Sequence, residues 1–166
     1  MADPAAYLDA LSEEEARAAL ARCCGASRWV QRMLARRPFG TREALFAAAE
    51  AAWGHLARAD YLEAFSHHPR IGESPAAPGE KAAAWSREEQ RGLEGADHDV
   101  RTRLVALNRI YEQRFGHIYL VCASGKGADE LLAILASRLA HEPDHELTVA
   151  AAEQAKITRL RLEKLP

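Results

Sequence analysis

The chain is short of cysteine, of strand-like alternation and of any surplus of charge, and each shortage removes a class of function. Its three cysteines are Cys23, Cys24 and Cys122, one pair of them adjacent. That set fits neither a disulfide framework nor the paired CxxC spacing of a zinc site, and it reads as the thiol content of a reducing cytoplasm. Lys and Arg total 22 against 24 Asp and Glu. So balanced a charge projects no long-range field, which argues against nucleic acid or an anionic membrane surface as a partner. Trp29, Trp53 and Trp85 are scattered with no basic stripe between them, so they read as packing residues rather than base-stacking platforms. Nowhere do about 18 consecutive apolar residues occur, the run a membrane-spanning helix needs. Met1 to Ala10 carries acids where a secretory signal has a basic segment and an apolar run, and Glu163-Lys164-Leu165-Pro166 does not match the peroxisomal Ser-Lys-Leu address. A soluble, cytoplasmic protein is expected.

What the chain does hold is helix-forming residues. Ala, Leu, Arg and Glu abound, and apolar residues recur at three- and four-residue spacing. The 166 residues fit one domain over residues 1–166, large enough to bury roughly two-thirds of the surface its unfolded form exposes. Ser12 and Glu15 have the spacing of a capping box, opening a helix to about Cys24 with Gly25 as a stop. A second helix is expected over Ser27 to Arg36, broken by Arg37-Pro38-Phe39-Gly40. Thr41 then starts a longer amphipathic helix through Ala44, Leu45, Ala48, Ala52 and Leu56, and Asp60 caps a short one ended by Pro69. Two glycines and two prolines make 71–84 a loop, Ser86 with Glu89 restarts the helix, and Asp97 opens a long helix that Gly116 terminates. His117 to Ala123 is expected as extended backbone crossing a helical core. Ser124-Gly125-Lys126-Gly127 turns into a helix ending near His141, and a last helix runs from about Asp144 to Leu165. The expected class is all-α, an irregular single-domain bundle of about eight helices with one short extended segment.

Two motifs fail on inspection. His141-Glu142-Pro143-Asp144-His145 satisfies the zinc-protease pattern letter by letter, but that pattern works only on one continuous helix. A mid-helix proline costs about 3 kcal/mol or more, so the segment is expected as a corner between helices and holds no metal. Gly125-Lys126 lacks a phosphate loop's other parts, since Leu120 stands where the first glycine belongs and Gly127 replaces Ser or Thr.

Three places invite a chemical reading beside a structural one. His67-His68-Pro69-Arg70-Ile71-Gly72 ends a helix with two titratable rings before a rigid turn. Either a ring meets the last helical carbonyls, or the corner aims an imidazole. Glu89 either closes a capping box with Ser86 or serves catalysis beside Gln90. Arg161 lies about 40° around the final helix from Ile157, on the side of Thr158. Either its guanidinium points inward and needs an anion, or its stem packs at the core edge with the charge in water.

These residues, taken in order, resemble a known family. His68-Pro69-Arg70-Ile71-Gly72, Ser86 with Glu89-Gln90, Phe115-Gly116 leading into Val121-Cys122-Ala123, Gly125-Lys126 with Glu130 and Leu131-Leu132, and Lys156-Ile157 with Leu160-Arg161-Leu162 are similar to motifs of the OHCU decarboxylases. OHCU is 2-oxo-4-hydroxy-4-carboxy-5-ureidoimidazoline. Trp29, Arg37-Pro38-Phe39, Leu45 and Trp53 fit the family's opening helices, so the match covers nearly the whole chain. Each motif is weak alone; their order makes the set specific. His67 stands where members vary, and His117-Ile118-Tyr119 matches a more usual Phe-Pro-Phe loosely.

The resemblance implies a cofactor-independent carboxy-lyase of urate degradation that converts OHCU to S-allantoin and carbon dioxide. Many decarboxylases borrow an electron sink from pyridoxal phosphate or thiamine. OHCU carries its own in a ring carbon–nitrogen double bond beside the carboxylated carbon. By the same resemblance His68 is the proton donor, aimed by Pro69. Glu89 orients that imidazole or accepts from the substrate hydroxyl, Ser86 and Gln90 bind ring and ureido amides, and Arg161 meets an oxygen that gains charge. The backbone of Tyr119, Leu120, Val121, Cys122 and Ala123 supplies further donors and acceptors. A homodimer is implied as well. The residues alone leave two other readings open, a hydrolase or isomerase of a related ureide and a non-catalytic helical module.

Overall fold

Capping chemistry decides where the early helices begin in the computed structural model, which describes residues 2–72, 85 and 87–166. Asp3 accepts a hydrogen bond from the Ala5 N–H at 3.0 Å, and Pro4 takes the first helical position, where a missing N–H costs nothing. The resulting α1, Pro4–Ala10, is not announced by the periodicity, because seven residues hold too few turns to show one. Ser12 and Glu15 form the expected capping box on α2, Glu13–Cys23, and those hydrogen bonds hold the Glu15 carboxyl below its ordinary range. Helix α3 is Ser27–Ala35, and α4 is Arg42–Gly54 with Thr41 as its cap. Leu56 therefore lies beyond α4 rather than on its face.

Helix α5, Arg58–Ser66, corrects the expectation for Asp60. Asp60 sits in the first turn rather than before it, and its carboxylate reaches back to the Ala57 N–H at 3.0 Å. This is the returning half of a capping box, made without the forward half.

The chain forms two compact units, Met1–Ala64 with Ala155–Pro166, and Phe65–Gln154. In the first, α1 packs on α2 and α4, and α3 on both of these. Leu8, Leu20, Trp29, Met33 and Leu45 are sealed from solvent. The Trp29 indole donates to the Ala49 carbonyl at 3.2 Å, as a buried N–H must. The Asp9 carboxylate accepts from the Phe39 and Gly40 N–H groups at 2.9 Å each, which ties the connection between α3 and α4 to α1.

In the second unit, α6, His98–Phe115, packs against α7, Ala128–Arg138. Asp97 caps α6, and Gly116, at φ +77°, ends it in a left-handed conformation that favours glycine. The expected extended segment follows: residues 118–123 are neither helix nor strand, and 119–123 are buried. Helix α7 stops at Arg138, three residues before His141. Pro143 opens α8, Pro143–Glu163, so His141 lies outside that helix and the zinc-protease reading fails for the expected reason. The rings of His141 and His145 nevertheless meet edge-on at 4.5 Å. Helix α8 begins in the second unit and ends in the first. The architecture is all-α, and among the described residues no helix is long and apolar enough to cross a membrane. The expected loop over 73–84 lies outside the described residues.

Arg138 and Glu146 form an ion pair in which both side chains are buried, 4% and 0% exposed. The Arg138 Nη1 also donates to the Leu120 carbonyl at 2.6 Å, and its guanidinium lies 4.9 Å from the Tyr119 ring centre. Breaking a buried pair strands its partner's charge, at about 3–5 kcal/mol. Arg138→Met is expected to lose that much stability in urea unfolding, while Arg138→Met/Glu146→Leu recovers a large part of it. Additive losses in the two single variants and the double would show that the pair is not coupled.

Candidate active site

The two histidines at the end of α5 are treated differently by the fold. His67 is exposed, whereas His68 is half-buried just past the last turn, its backbone N–H donating to the Phe65 carbonyl at 3.1 Å. Pro69 follows and forbids further helix. The His68 Nε2 stands 2.7 Å from the Oε1 of Gln154 on α8, a side chain with no exposed surface. The rest of the corner is tied as firmly. Arg70 Nε meets both carboxylate oxygens of Glu112, at 2.9 and 3.1 Å. Asn108 Nδ2 donates to the Ile71 carbonyl at 3.3 Å, and Gly72, at φ +89°, donates its N–H to Gln90 Oε1 at 3.1 Å. Gln90 thus uses its amide oxygen to hold the corner.

The buried segment solves a different problem, because an irregular backbone brings unpaired polar groups into the interior. Side chains answer several of them. Beyond Arg138 on Leu120, the Glu153 carboxylate accepts from the Cys122 N–H at 3.3 Å, and Lys126 Nζ donates to the Cys122 carbonyl at 2.9 Å. The Tyr119 hydroxyl donates to the Leu131 carbonyl at 3.0 Å, while Val121 and Ala123 join the apolar core of this unit. The Leu120 carbonyl and both backbone polar groups of Cys122 thus have partners within the chain.

Burial pushes the Cys122 thiol up; the Ser124 N–H and the Lys126 charge oppose that shift, and the charges of Glu153 and Glu89 add to it. Glu89 and Glu153 therefore act on one neighbourhood. The unit gathers His68, Pro69, Glu89, Gln90 and the Tyr119–Ala123 segment, and adds Glu153 and Gln154, which sequence reasoning missed. The helical spacing marks Gln154 as inward: stepping back from Arg161 through Ile157 by threes and fours reaches Gln154 and Ala150, all of them buried. Ser86 lies outside the described residues.

Arg161 belongs to the first unit. It is buried at 6% exposure with Ile157 and Thr158, so the inward reading of its helical position holds, and its Nη1 donates to the Arg22 carbonyl at 3.3 Å. Burial pushes the neighbouring Cys23 thiol up to about 12 and Cys24 to about 11, against the opposing charge of Arg161 on both. A cavity of about 170 Å³ in this unit is walled by Trp29, Phe46, Trp53 and Arg159, and one of about 190 Å³ in the other by Arg70, Ile71, Asn108 and Glu112. Neither is lined by a residue expected to touch substrate. Among the described residues no three His, Cys, Asp or Glu side chains gather as metal ligands.

The chain belongs to the OHCU decarboxylase family, whose model matches residues 9–163. It is 32% identical to a solved OHCU decarboxylase crystallised in the presence of (S)-allantoin, with a TM-score of 0.77 over 93% of this chain and 97% of that one. A solved (S)-allantoin synthase shares the fold at TM-score 0.70 and 19% identity, over 96% of this chain and 52% of that one. Among curated relatives, the uric acid degradation bifunctional protein TTL of Arabidopsis thaliana is 35% identical over 145 residues, 86% of this chain and 45% of that protein. The 2-oxo-4-hydroxy-4-carboxy-5-ureidoimidazoline decarboxylase of Mus musculus is 36% identical over 99 residues, 59% of this chain and 56% of that one. The chain spans about half the length of these curated relatives.

The buried thiols set a pH dependence. In the folded chain Cys23 and Cys24 are held protonated to about 12 and about 11, whereas unfolded thiols ionise from an ordinary value of 9.0. The folded state therefore binds more protons above that value, and stability falls as pH rises. Urea midpoints are expected to show this contribution intact below pH 8 and lost from about 9 upward. The decline should be shallower in Cys23→Ala/Cys24→Ala; an identical decline would assign it to other groups.

Proposed function

We propose that this protein decarboxylates OHCU to S-allantoin and carbon dioxide in urate degradation, with His68 delivering the proton. The observation that carries the reading is the contrast at the end of α5, where His68 is half-buried and held by a buried side chain while His67 faces solvent. Family membership over residues 9–163 supports the substrate and reaction class.

The chemistry is simple in its balance. The bond between the carboxylate and its ring carbon breaks, and the electron pair enters the ring, where the adjacent carbon–nitrogen double bond accepts it. A proton then adds at the neighbouring carbon, while the hydroxyl on the decarboxylated carbon becomes a carbonyl and its proton passes to the ring nitrogen that took up the electron pair. The protein's task is to hold a flattened, charge-delocalised state and to protonate one face. The substrate's own double bond serves as the electron sink, so no cofactor enters this scheme.

His68 suits the donor's role because an imidazole's ordinary pKa, about 6.5, lies close to neutral. We assign Glu89 to the substrate hydroxyl, Gln90 and Ser86 to ring and ureido amides, with Pro69 and the Tyr119–Ala123 segment as wall. Arg161 stabilises an oxygen that gains charge. Were it to grip the departing carboxylate instead, it would stabilise the ground state and oppose loss of carbon dioxide. The reading extends to a cytoplasmic protein, on its thiol content, and to a homodimer, as the family resemblance implies.

His68→Asn is expected to lose the acceleration over spontaneous decay, about 10² to 10⁴ for a missing acid, and to yield racemic allantoin. His67→Asn should keep S-allantoin and most of the rate, both followed by the optical activity of product from freshly generated OHCU. Stereospecific turnover surviving in His68→Asn would move the donor elsewhere. Arg161→Lys should slow turnover substantially, because an ammonium does not reproduce the planar fork; unchanged kcat and KM would remove Arg161 from the reaction.

A further inference from the structure

We propose that Gln154 is a positioning residue that fixes the tautomer and direction of the His68 imidazole, so that Nδ1 handles the catalytic proton. The inference rests on His68 being the donor and adds which of its nitrogens acts. Gln154 Oε1 lies 2.7 Å from His68 Nε2. An amide oxygen only accepts, so the proton of that bond resides on Nε2. In the neutral ring Nδ1 is then the acceptor, and in the charged ring Nδ1–H is the acid that faces away from Gln154.

Three features make the contact an orienting device. Gln154 has no exposed surface, so water does not replace the bond it makes to the ring. Its neighbour Glu153 is fastened to the Cys122 N–H, which fixes this turn of α8 against the buried segment. The ring's own backbone is fixed on both sides, by the hydrogen bond to the Phe65 carbonyl and by Pro69. The partner is also neutral. A carboxylate at this place would hold the imidazole in its charged form, whereas an amide orients it and leaves it able to give up its proton.

Nitrogen-15 NMR of histidine-labelled protein reads the ring directly, with His68 assigned by difference against His68→Asn. At a pH high enough to leave the imidazole neutral, the wild-type His68 ring is expected to keep its remaining proton on Nε2. In Gln154→Met, which keeps the side chain's length without its acceptor, the two tautomers should mix. Loss of an outer partner that orients a metal-bound histidine costs about 10- to 100-fold, and a fall of that order is expected here in kcat, with KM little changed. The allantoin formed should lose enantiomeric excess, and Gln154→Glu, which restores an acceptor but holds the imidazole charged, should orient the ring again without restoring kcat.

A neutral wild-type ring with its proton on Nδ1 rather than Nε2 overturns the proposal, and that measurement needs no Gln154 variant to fold. Gln154→Met with unchanged kcat, enantiomeric excess and tautomer overturns it too; if His68→Asn is inactive in the same assay, the donor role of His68 stands. Stereospecific turnover in His68→Asn removes the donor role itself, and the proposal with it, whatever the tautomer.

Discussion

The second unit depends on a buried guanidinium. Arg138 is taken out of water between α7 and the Tyr119–Ala123 segment, where its desolvation is offset by the Glu146 carboxylate, the Leu120 carbonyl and the faces of two tyrosines. Because residues 118–123 form neither helix nor strand, their peptide groups gain no partners from regular pairing. Arg138, Glu153 and Lys126 make this stretch of backbone tolerable inside the protein. A chain of this size builds an irregular interior segment by spending charged side chains on peptide groups, and the segment in turn sets where Cys122 and its neighbours stand.

Helix α8 carries the other half of that arrangement. Its N-terminal part brings Glu146, Glu153 and Gln154 to buried positions in one unit, and its C-terminal part brings Thr158 and Arg161 to buried positions in the other. Polar and charged residues thus follow the spacing that elsewhere marks an apolar stripe. An inward glutamine or arginine is expensive unless a partner waits for it, and each of these has one. The helix is as much a rack of functional groups as a packing element.

What was legible in the sequence follows from the range of each interaction. Ser12, Thr41, Asp97 and Gly116 act within a turn of themselves, so their caps could be read directly. Asp60 misled because the same residue type serves before a helix or inside its first turn. The corner at His68 was legible through Pro69, whose effect is local. Gln154 was not, because its partner lies 86 residues away and nothing in the helix says that a glutamine at a core position is satisfied there. Arg138 and Glu146 were hidden for a nearer reason: they face one another across the corner that Pro143 makes, so no single helix places them together. The family resemblance supplied the histidine and its neighbours; it did not supply the groups that hold them.

One close approach has a mechanical meaning. Gly92, in the 3₁₀ turn Arg91–Leu93, lies so near the Lys126 carbonyl that a methyl group there would stand 1.8 Å from its oxygen. Gln90, two residues before it, grips Gly72; Lys126 grips Cys122; Cys122 is held by Glu153, and the next residue, Gln154, holds His68 in the corner that returns to Gly72. These joints close into a ring. A closed linkage has no loose end, so play introduced at one joint is shared among all of them, and the aim of an imidazole comes to depend on how snugly a backbone passes a distant carbonyl.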